Sequence, residues 1–349
     1  MLASITHILP LTNIRRTRVL AVPGKVLVRV GQKVNASDVI AQAQKSAGHT
    51  ILDIRRGLGV TRISEAERCI VRQQGDRLEK GDVIAEASGL FSRIVRAPSA
   101  GEIVSISGGQ VLLRTETTQV EVLAGFNGIV FEIIPELGAV IEVNGGLVQG
   151  VWGNGRMDNG LLLVIAAAPD DQLTGQKIDV SMRGAVVMGG HCSSADVLRA
   201  AGDLPLRGLI LSSITADLIP VARSQNYPIL VTDGFGKIPM NEPAFKLLTT
   251  SEKRDVSIHA VYNPGVGERP ELIIPLPAAG QLAPETDYFA QGQLVRIQGM
   301  PYTGKVGTIV QLHQGLFTLP NGLKVSAADV QLESDMRVSV PLTNLEVIE

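Results

Sequence analysis

Residues 71–114 read VRQQGDRLEKGDVIAEASGLFSRIVRAPSAGEIVSISGGQVLLR. Short Val/Ile/Leu runs are broken there by Gly-Asp, Ala-Pro-Ser-Ala-Gly and Gly-Gly, the punctuation of a small, tightly turning β unit. Working outward, the same signature occurs earlier in the chain. Residues 28–43 read VRVGQKVNASDVIAQA and residues 71–87 read VRQQGDRLEKGDVIAEA. With Gly31 set on Gly75, Asp38 falls on Asp82, and Val39, Ile40 and Ala41 fall on Val83, Ile84 and Ala85. Such duplication predicts two half-motifs that pair to close one core. Between them, Leu52, Ile54 and Leu58 and then residues 64–68 predict two short helical pieces. Ser64 followed by Glu67 fits a capping box. Cys69, beside Ile70, is expected in the core.

The rest of the composition agrees with a sheet-rich chain. Of 349 residues, 45% are hydrophobic but only 3% aromatic, so the apolar mass is Val, Ile, Leu and Ala. The 37 Gly and 18 Pro follow no period, which predicts many turns and several domains. Net charge is −2, unevenly spread. Residues 1–118 carry 17 Lys and Arg against 10 Asp and Glu, and the remainder 15 against 24. A basic N-terminal part can face an anionic partner, nucleic acid or acidic protein, with Arg15, Arg16, Arg18, Arg55 and Arg56 as first contacts, and the plainer reading is an ordinary solvated surface. The two cysteines, Cys69 and Cys192, have no metal-ligand spacing, so neither a zinc site nor a cysteine-ligated cluster is expected, and no cofactor. No apolar run reaches the roughly 18 residues that span a bilayer, and the first twenty residues are too polar for a secretory signal. The expectation is a cytoplasmic protein.

Residues 20–115 resemble the barrel-sandwich hybrid of the biotinyl/lipoyl-like domains. In carriers of that family a lysine at the hairpin tip is modified, but the tip here, residues 87–93, is ASGLFSR and holds no lysine. The resemblance therefore implies an unmodified version. One such version is the N-terminal domain of the C subunit of Rnf-type electron-transport complexes, whose pattern is matched by Gly89-Leu90 and Ala97-Pro98-Ser99-Ala100-Gly101. The flavin-binding and iron–sulfur parts of that subunit have no counterpart here.

Residues 119–168 predict a further β-rich unit, with Asn144-Gly145-Gly146 as a hairpin turn. Residues 150–156, GVWGNGR, read as a glycine-rich turn with Trp152 partly exposed, because the Lys-Ser ending of a P-loop is missing. Across residues 169–263 the period changes. Strands are expected at 180–190, 207–213, 227–232 and 256–261, alternating with helices at 191–202, 215–225 and 240–249. That predicts a small, mostly parallel βαβ domain. Ligands of such sheets bind beyond the carboxyl ends of the strands. The candidates there are Gly190, His191, Cys192, Ser193 and Ser194, then Asp233 and Gly234, with Ser212, Ser213 and Thr215 between. A helix start would stabilise a Cys192 thiolate or an anion, and His191 would supply a base. The plainer reading makes Ser193 an N-cap and the Gly189-Gly190 and Asp233-Gly234 pairs ordinary turns. Residues 264–286, rich in Pro and Gly, read as a linker.

Residues 294–312, LVRIQGMPYTGKVGTIVQL, resemble the KOW motif of NusG-type transcription factors and several ribosomal proteins. Val295-Arg296-Ile297 is the first strand, residues 301–304 the turn and residues 307–310 the return strand, with Asn321-Gly322 as a later hairpin turn. The resemblance implies an SH3-like barrel over residues 287–349, with Arg296, Tyr302 and Lys305 as contact residues. As a whole the chain resembles a bacterial family of KOW-domain-containing proteins.

The fold class expected is multi-domain and mainly β with one α/β layer. The domains are a barrel-sandwich hybrid with a short helical insertion (1–118), a β-rich unit (119–168), a small α/β domain (169–263), a linker and a C-terminal SH3-like barrel. No catalytic residue is assigned, and the balance is against an enzyme. The favoured function is a non-catalytic adaptor or scaffold docking on a larger protein or ribonucleoprotein assembly, transcription or translation machinery first, with RNA as one partner class. The alternatives are a ligand-binding or enzymatic α/β domain centred on Cys192 and Asp233, and a self-assembling structural protein or homo-oligomer.

Overall fold

The computed structural model of the chain describes residues 2–45, 48–87, 93–115, 118–263, 268–283, 287–332 and 336–348. The chain is mainly β, with several sheets and, among the described residues, five short α-helices. Gly31 and Gly75 both turn with left-handed angles, φ +79° and +93°, which strain any residue with a Cβ. Each then donates its N–H across to a return strand, Gly31 to Val130 O and Gly75 to Ile103 O, both at 2.8 Å. Asp38 and Asp82 accept from the N–H three residues back, Asn35 and Glu79, and fix the second turn of each copy.

The correspondence goes well beyond the quoted repeat. In one copy, strand Val39–Lys45 pairs with Thr118–Leu123, and Gly128–Ile134 with Gly138–Gln149. In the other, Val83–Ala87 pairs with Arg93–Arg96, and Gly101–Ser107 with Gln110–Thr115. Register irregularities fall at matched places, at Val130/Glu132 and at Ile103/Ser105. Strand Ile8–Val19 flanks the first copy as His49–Asp53 flanks the second. The duplication is nested. The second copy enters and leaves through the hairpin of the first, beyond the Lys45–Thr118 pair.

The expectation that the two half-motifs share one core is therefore corrected. The outer copy closes around Ile14, Val34, Ile40, Phe126, Val130 and Ile141. The inner copy closes around Ile54, Leu78, Ile84, Ile103, Val111 and Leu113. Each has its own return strand, so neither needs the other. The inner copy adds helices α1 (Ile54–Leu58) and α2 (Ile63–Cys69), where the outer copy runs directly from Leu20 to Val26. Asp53 caps α1 by accepting from Arg56 N–H, whereas the residue before α2 is Arg62 and no side chain caps it. The Ser64/Glu67 box is thus not formed, because both residues already lie inside the helix. Cys69 packs against the inner core as expected. The former hairpin tip, residues 88–92 with Gly89-Leu90, lies outside the described residues.

The 12-residue strand Gly138–Gln149 joins the outer copy to the rest of the body. Ile8–Val19 runs along one side of it, and Gly128–Ile134 and then Glu271–Pro275 along the other. Asn144-Gly145-Gly146 is consequently a bulge in a continuous strand, since a turn there would break both ladders. The described part of the expected linker is likewise no linker. Leu272, Ile273 and Ile274 are fully buried, and their strand fills the slot between Gly138–Gln149 and Asp255–His259. Residues 264–267 and 284–286 of that expected linker lie outside the described residues. Trp152 is also buried, not partly exposed, because it pairs with Val231 at the sheet edge.

The same sheet continues into the α/β layer. Met157–Val164, Ala185–Met188, Gly208–Ile214 and Ile229–Phe235 run parallel, with Asp255–His259 antiparallel beside the first. Helices α3 (Ala195–Asp203) and α4 (Ile219–Ser224) line one face, and α5 (Glu242–Thr250) the other. Residues 180–182 form a 3-10 turn instead of opening the strand.

The C-terminal sheet contains Leu294–Ile297, Val306–Leu312, Ala327–Leu332, Arg337–Pro341 and Leu345–Ile348, with Asn321-Gly322 turning a short hairpin as expected. It also takes in Leu2–Thr6, parallel to Leu345–Ile348. The N-terminal domain boundary at residue 1 is corrected accordingly. This sheet packs on the α5 face, where Leu294, Val306 and Ile348 join the α/β core.

Candidate functional site

The carboxyl ends of the parallel strands do bring the expected loops together, but the chain itself covers them. Residues 169–173 lie along His191, with His191 N–H donating to Asp171 O and Leu173 N–H to His191 O. Gly190 is needed for this approach, since a Cβ there would stand 1.8 Å from Asp171 O. On the other side Met240 N–H donates to Pro169 O, which closes the roof.

His191 and Ser213 sit 3.0 Å apart, Nδ1 to Oγ, in the guise of a base and a nucleophile. Counting protons removes that role. Ser213 Oγ lies 2.7 Å from Ile238 O, which can only accept, and it accepts from Ile238 N–H. The single hydroxyl proton is committed to the carbonyl, so His191 Nδ1 must donate and cannot take that proton. Burial also holds His191 below its ordinary pKa, which keeps the ring neutral.

Cys192 is fully buried and its thiol points at Ser194 O, 3.6 Å away. Burial pushes this thiol up, away from the thiolate. Helix α3 begins only at Ala195, with Ser194 in place of Ser193 as its N-cap and no side-chain cap bond. Ser193 is exposed and accepts from Gln172 Nε2. The expectation of a stabilised thiolate is thus corrected.

Asp233 belongs to a different centre. Its carboxylate accepts from Thr232 Oγ1 (2.7 Å), Asn241 Nδ2 (2.9 Å), Asn241 N–H (3.2 Å) and Arg296 Nη1 (2.8 Å). Burial pushes the carboxyl up, and Arg296 and Asn241 pull against that. Arg296 in turn reaches Glu346 at 3.0 Å, and Glu346 also accepts from Thr6 Oγ1 and Arg269 Nη1. Side chains of Arg296, Asp233 and Glu346 are only 2–3% exposed. Arg296 is therefore an internal strut between the α/β layer and the C-terminal sheet, not the contact residue its motif implied. Gly234 is buried beside it at φ +147°, inside strand Ile229–Phe235 where the register with Gly208–Ile214 shifts, so the expected Asp233-Gly234 turn is corrected to a strand irregularity.

The remaining partner candidates divide sharply. Arg15 pairs with Glu142 at 2.6 Å and lies over the Phe131 ring. Arg16 pairs with buried Glu271 at 2.7 Å, and Arg18 reaches His259 Nδ1 at 2.7 Å. These three serve the body ladder, which corrects their reading as first contacts. Arg55 faces Asp53 at 3.5 Å, whereas Arg56 is exposed. Tyr302 packs half-buried on the C-terminal core, and Lys305 is exposed.

Sequence reasoning missed Glu346, Arg269 and Asn241, for which local patterning offers no signal. It also missed the second half of the repeat, which was visible. Ala97, Gly101 and Ile103 have the spacing of Ala124, Gly128 and Val130.

Among the described residues no group of three or more His, Cys, Asp or Glu is placed to hold a metal, and no helix is long and apolar enough to cross a membrane. No protein-family model and no curated protein matches the chain.

Proposed function

We propose that the protein is a non-catalytic adaptor of the cytoplasm that docks on a larger assembly, with the transcription and translation machinery first. The observation that carries this reading is the separation of the described part of the inner copy, residues 48–87 and 93–115, from the rest of the described residues. Its core shares no residue with the other cores, and among the described residues no hydrogen bond or ion pair joins it to the body. A lobe held on two chain crossings suits presentation of a surface. The roofed crevice at His191 and Cys192, where His191 and Ser213 are spent on each other and on Ile238 while Ser212 Oγ and Thr215 Oγ1 lie buried without a partner among the described residues, is covered by the chain itself and suits chemistry poorly.

In this reading the nested copies are unmodified barrel-sandwich hybrids and the C-terminal sheet is a KOW-type SH3-like barrel. The short, bent strands and the Asn321-Gly322 turn support those finer assignments, and the quoted motifs are their motive. Affinity purification at low salt, followed by mass spectrometry, tests the function. Recovery of one assembly, reduced as salt is raised, is the expected result. A chain that emerges alone at every salt concentration would overturn the reading.

A further inference from the structure

The nested duplication supplies an internal control on which side chains the fold requires. Positions that correspond in the two copies have the same backbone pairing, so a residue class present in only one copy is not required by the strands the copies share. Val83 pairs with Arg96 in the inner copy as Val39 pairs with Leu123 in the outer, and Ala85 with Val95 as Ala41 with Val122. By this register Arg93 and Arg96 correspond to Val120 and Leu123. Exposure matches as well, since all four are exposed. Arg72 corresponds in the same way to Val28, each one residue beyond a matched bond, Val71 N–H to Ile84 O and Leu27 N–H to Ile40 O. Both are half-buried.

The inner copy has thus placed arginine at three positions where the outer copy makes the same fold with Val or Leu. It also carries α1 and α2, a segment the outer copy lacks, with Arg56, Arg62 and Arg68 all exposed. Several of these guanidinium groups are held by main-chain carbonyls. Arg72 donates to Val83 O, Arg93 to Leu58 O and Arg96 to Gly81 O. A carbonyl fixes the geometry of a guanidinium without cancelling its charge. Among the described residues only a loose 3.9 Å pair, Arg72 with Asp82, gives any of these three a carboxylate.

We propose that the inner copy is the docking element and that its arginines bind the phosphate backbone of a nucleic acid. This rests on the adaptor reading above. Pre-fixed guanidinium forks suit phosphate oxygens, which accept two donors at once. Over residues 48–115 the sequence has a single residue of the Phe, Tyr and Trp set, Phe91, against six arginines at the positions named above, so contact with the backbone is favoured over readout of single-stranded bases.

The test titrates the full chain against fluorescent 20-base-pair duplexes of DNA and of RNA, with poly-glutamate as the non-nucleic polyanion, between 50 and 200 mM salt. One or both duplexes should bind more tightly than poly-glutamate, and affinity should fall steeply with salt. The variant R72V/R93V/R96L, which copies the outer residues, should bind at least tenfold more weakly. Its log–log salt slope should be shallower by about 3. R72Q/R93Q/R96Q should behave alike and covers any loss of solubility, while R72K/R93K/R96K should recover much of the affinity. Equal binding by poly-glutamate, no duplex binding at 50 mM salt, or unchanged affinity in a folded triple variant would overturn the proposal. If no duplex binds yet an assembly is still recovered from nuclease-treated lysate, the adaptor reading stands while the phosphate contact falls.

Discussion

Replacing Arg296 by alanine would leave Asp233 at 2% exposure without a cation, and Glu346 at 3% exposure with Arg269 alone. Breaking a buried pair in this way costs about 3–5 kcal/mol, most of it the penalty of the charges left behind. Urea denaturation of R296A should show that loss, and R296Q/D233N/E346Q should recover most of it because the hydrogen bonds persist without the charges. His259 makes a second residue-scale prediction. It is buried, accepts from Arg18 and donates from Nε2 to Gly125 O, and burial followed by the Arg18 charge depresses it to about 4. Between that value and the unfolded pKa of about 6.5 the unfolded chain binds the extra proton. Stability should therefore fall by about 3 kcal/mol as pH drops through this window. His191, also depressed, adds a slope of the same sign. H259Q should flatten the stability–pH curve between pH 6.5 and 4, as read by urea midpoints. Glu271 and Glu346 stand below their ordinary values through their arginines, so their contribution is lost only at more acid pH.

At the scale of elements, how much was legible depended on how local the signal was. The hairpins, the βαβ alternation and the C-terminal strands were readable because alternation and turn residues lie within a few positions of one another. Glu271–Pro275 was hidden by its flanking prolines and glycines, although Leu272 to Ile274 form a fully buried apolar run. A linker and a short core strand differ there only by what pairs alongside, which is a tertiary fact. The candidate site failed for a related reason. The motif placed Arg296 on a strand correctly, but the carboxylates that consume it come from Asp233 and Glu346, in other elements. Ile273→Ala discriminates the two readings of residues 268–283. A linker residue would tolerate it, whereas a core strand should lose about 2–5 kcal/mol in urea unfolding.

For the whole molecule, separate cores predict separate unfolding. The chain has one tryptophan, Trp152, and it is buried in the body. Its fluorescence follows the body alone, while far-ultraviolet dichroism follows body and inner copy together. Ile103→Ala, in the inner core, should move a dichroism transition by about 2–4 kcal/mol and leave the fluorescence transition in place. Coincident shifts in both signals would show that the two units unfold as one and would refute independence.

The pairing of Leu2–Thr6 with Leu345–Ile348 has a kinetic consequence. Thr6 and Glu346 are 340 positions apart, so on a ribosome adding about 5–20 residues per second the early strand waits on the order of tens of seconds for its neighbour. Ala3 and Ile5 meanwhile have no apolar cover from that strand, whereas the inner copy, complete by residue 115, is free to fold long before. Biogenesis should thus proceed from an interior segment outward. Nascent chains arrested before residue 345 should be resistant to protease over residues 48–115 and cleavable near the start.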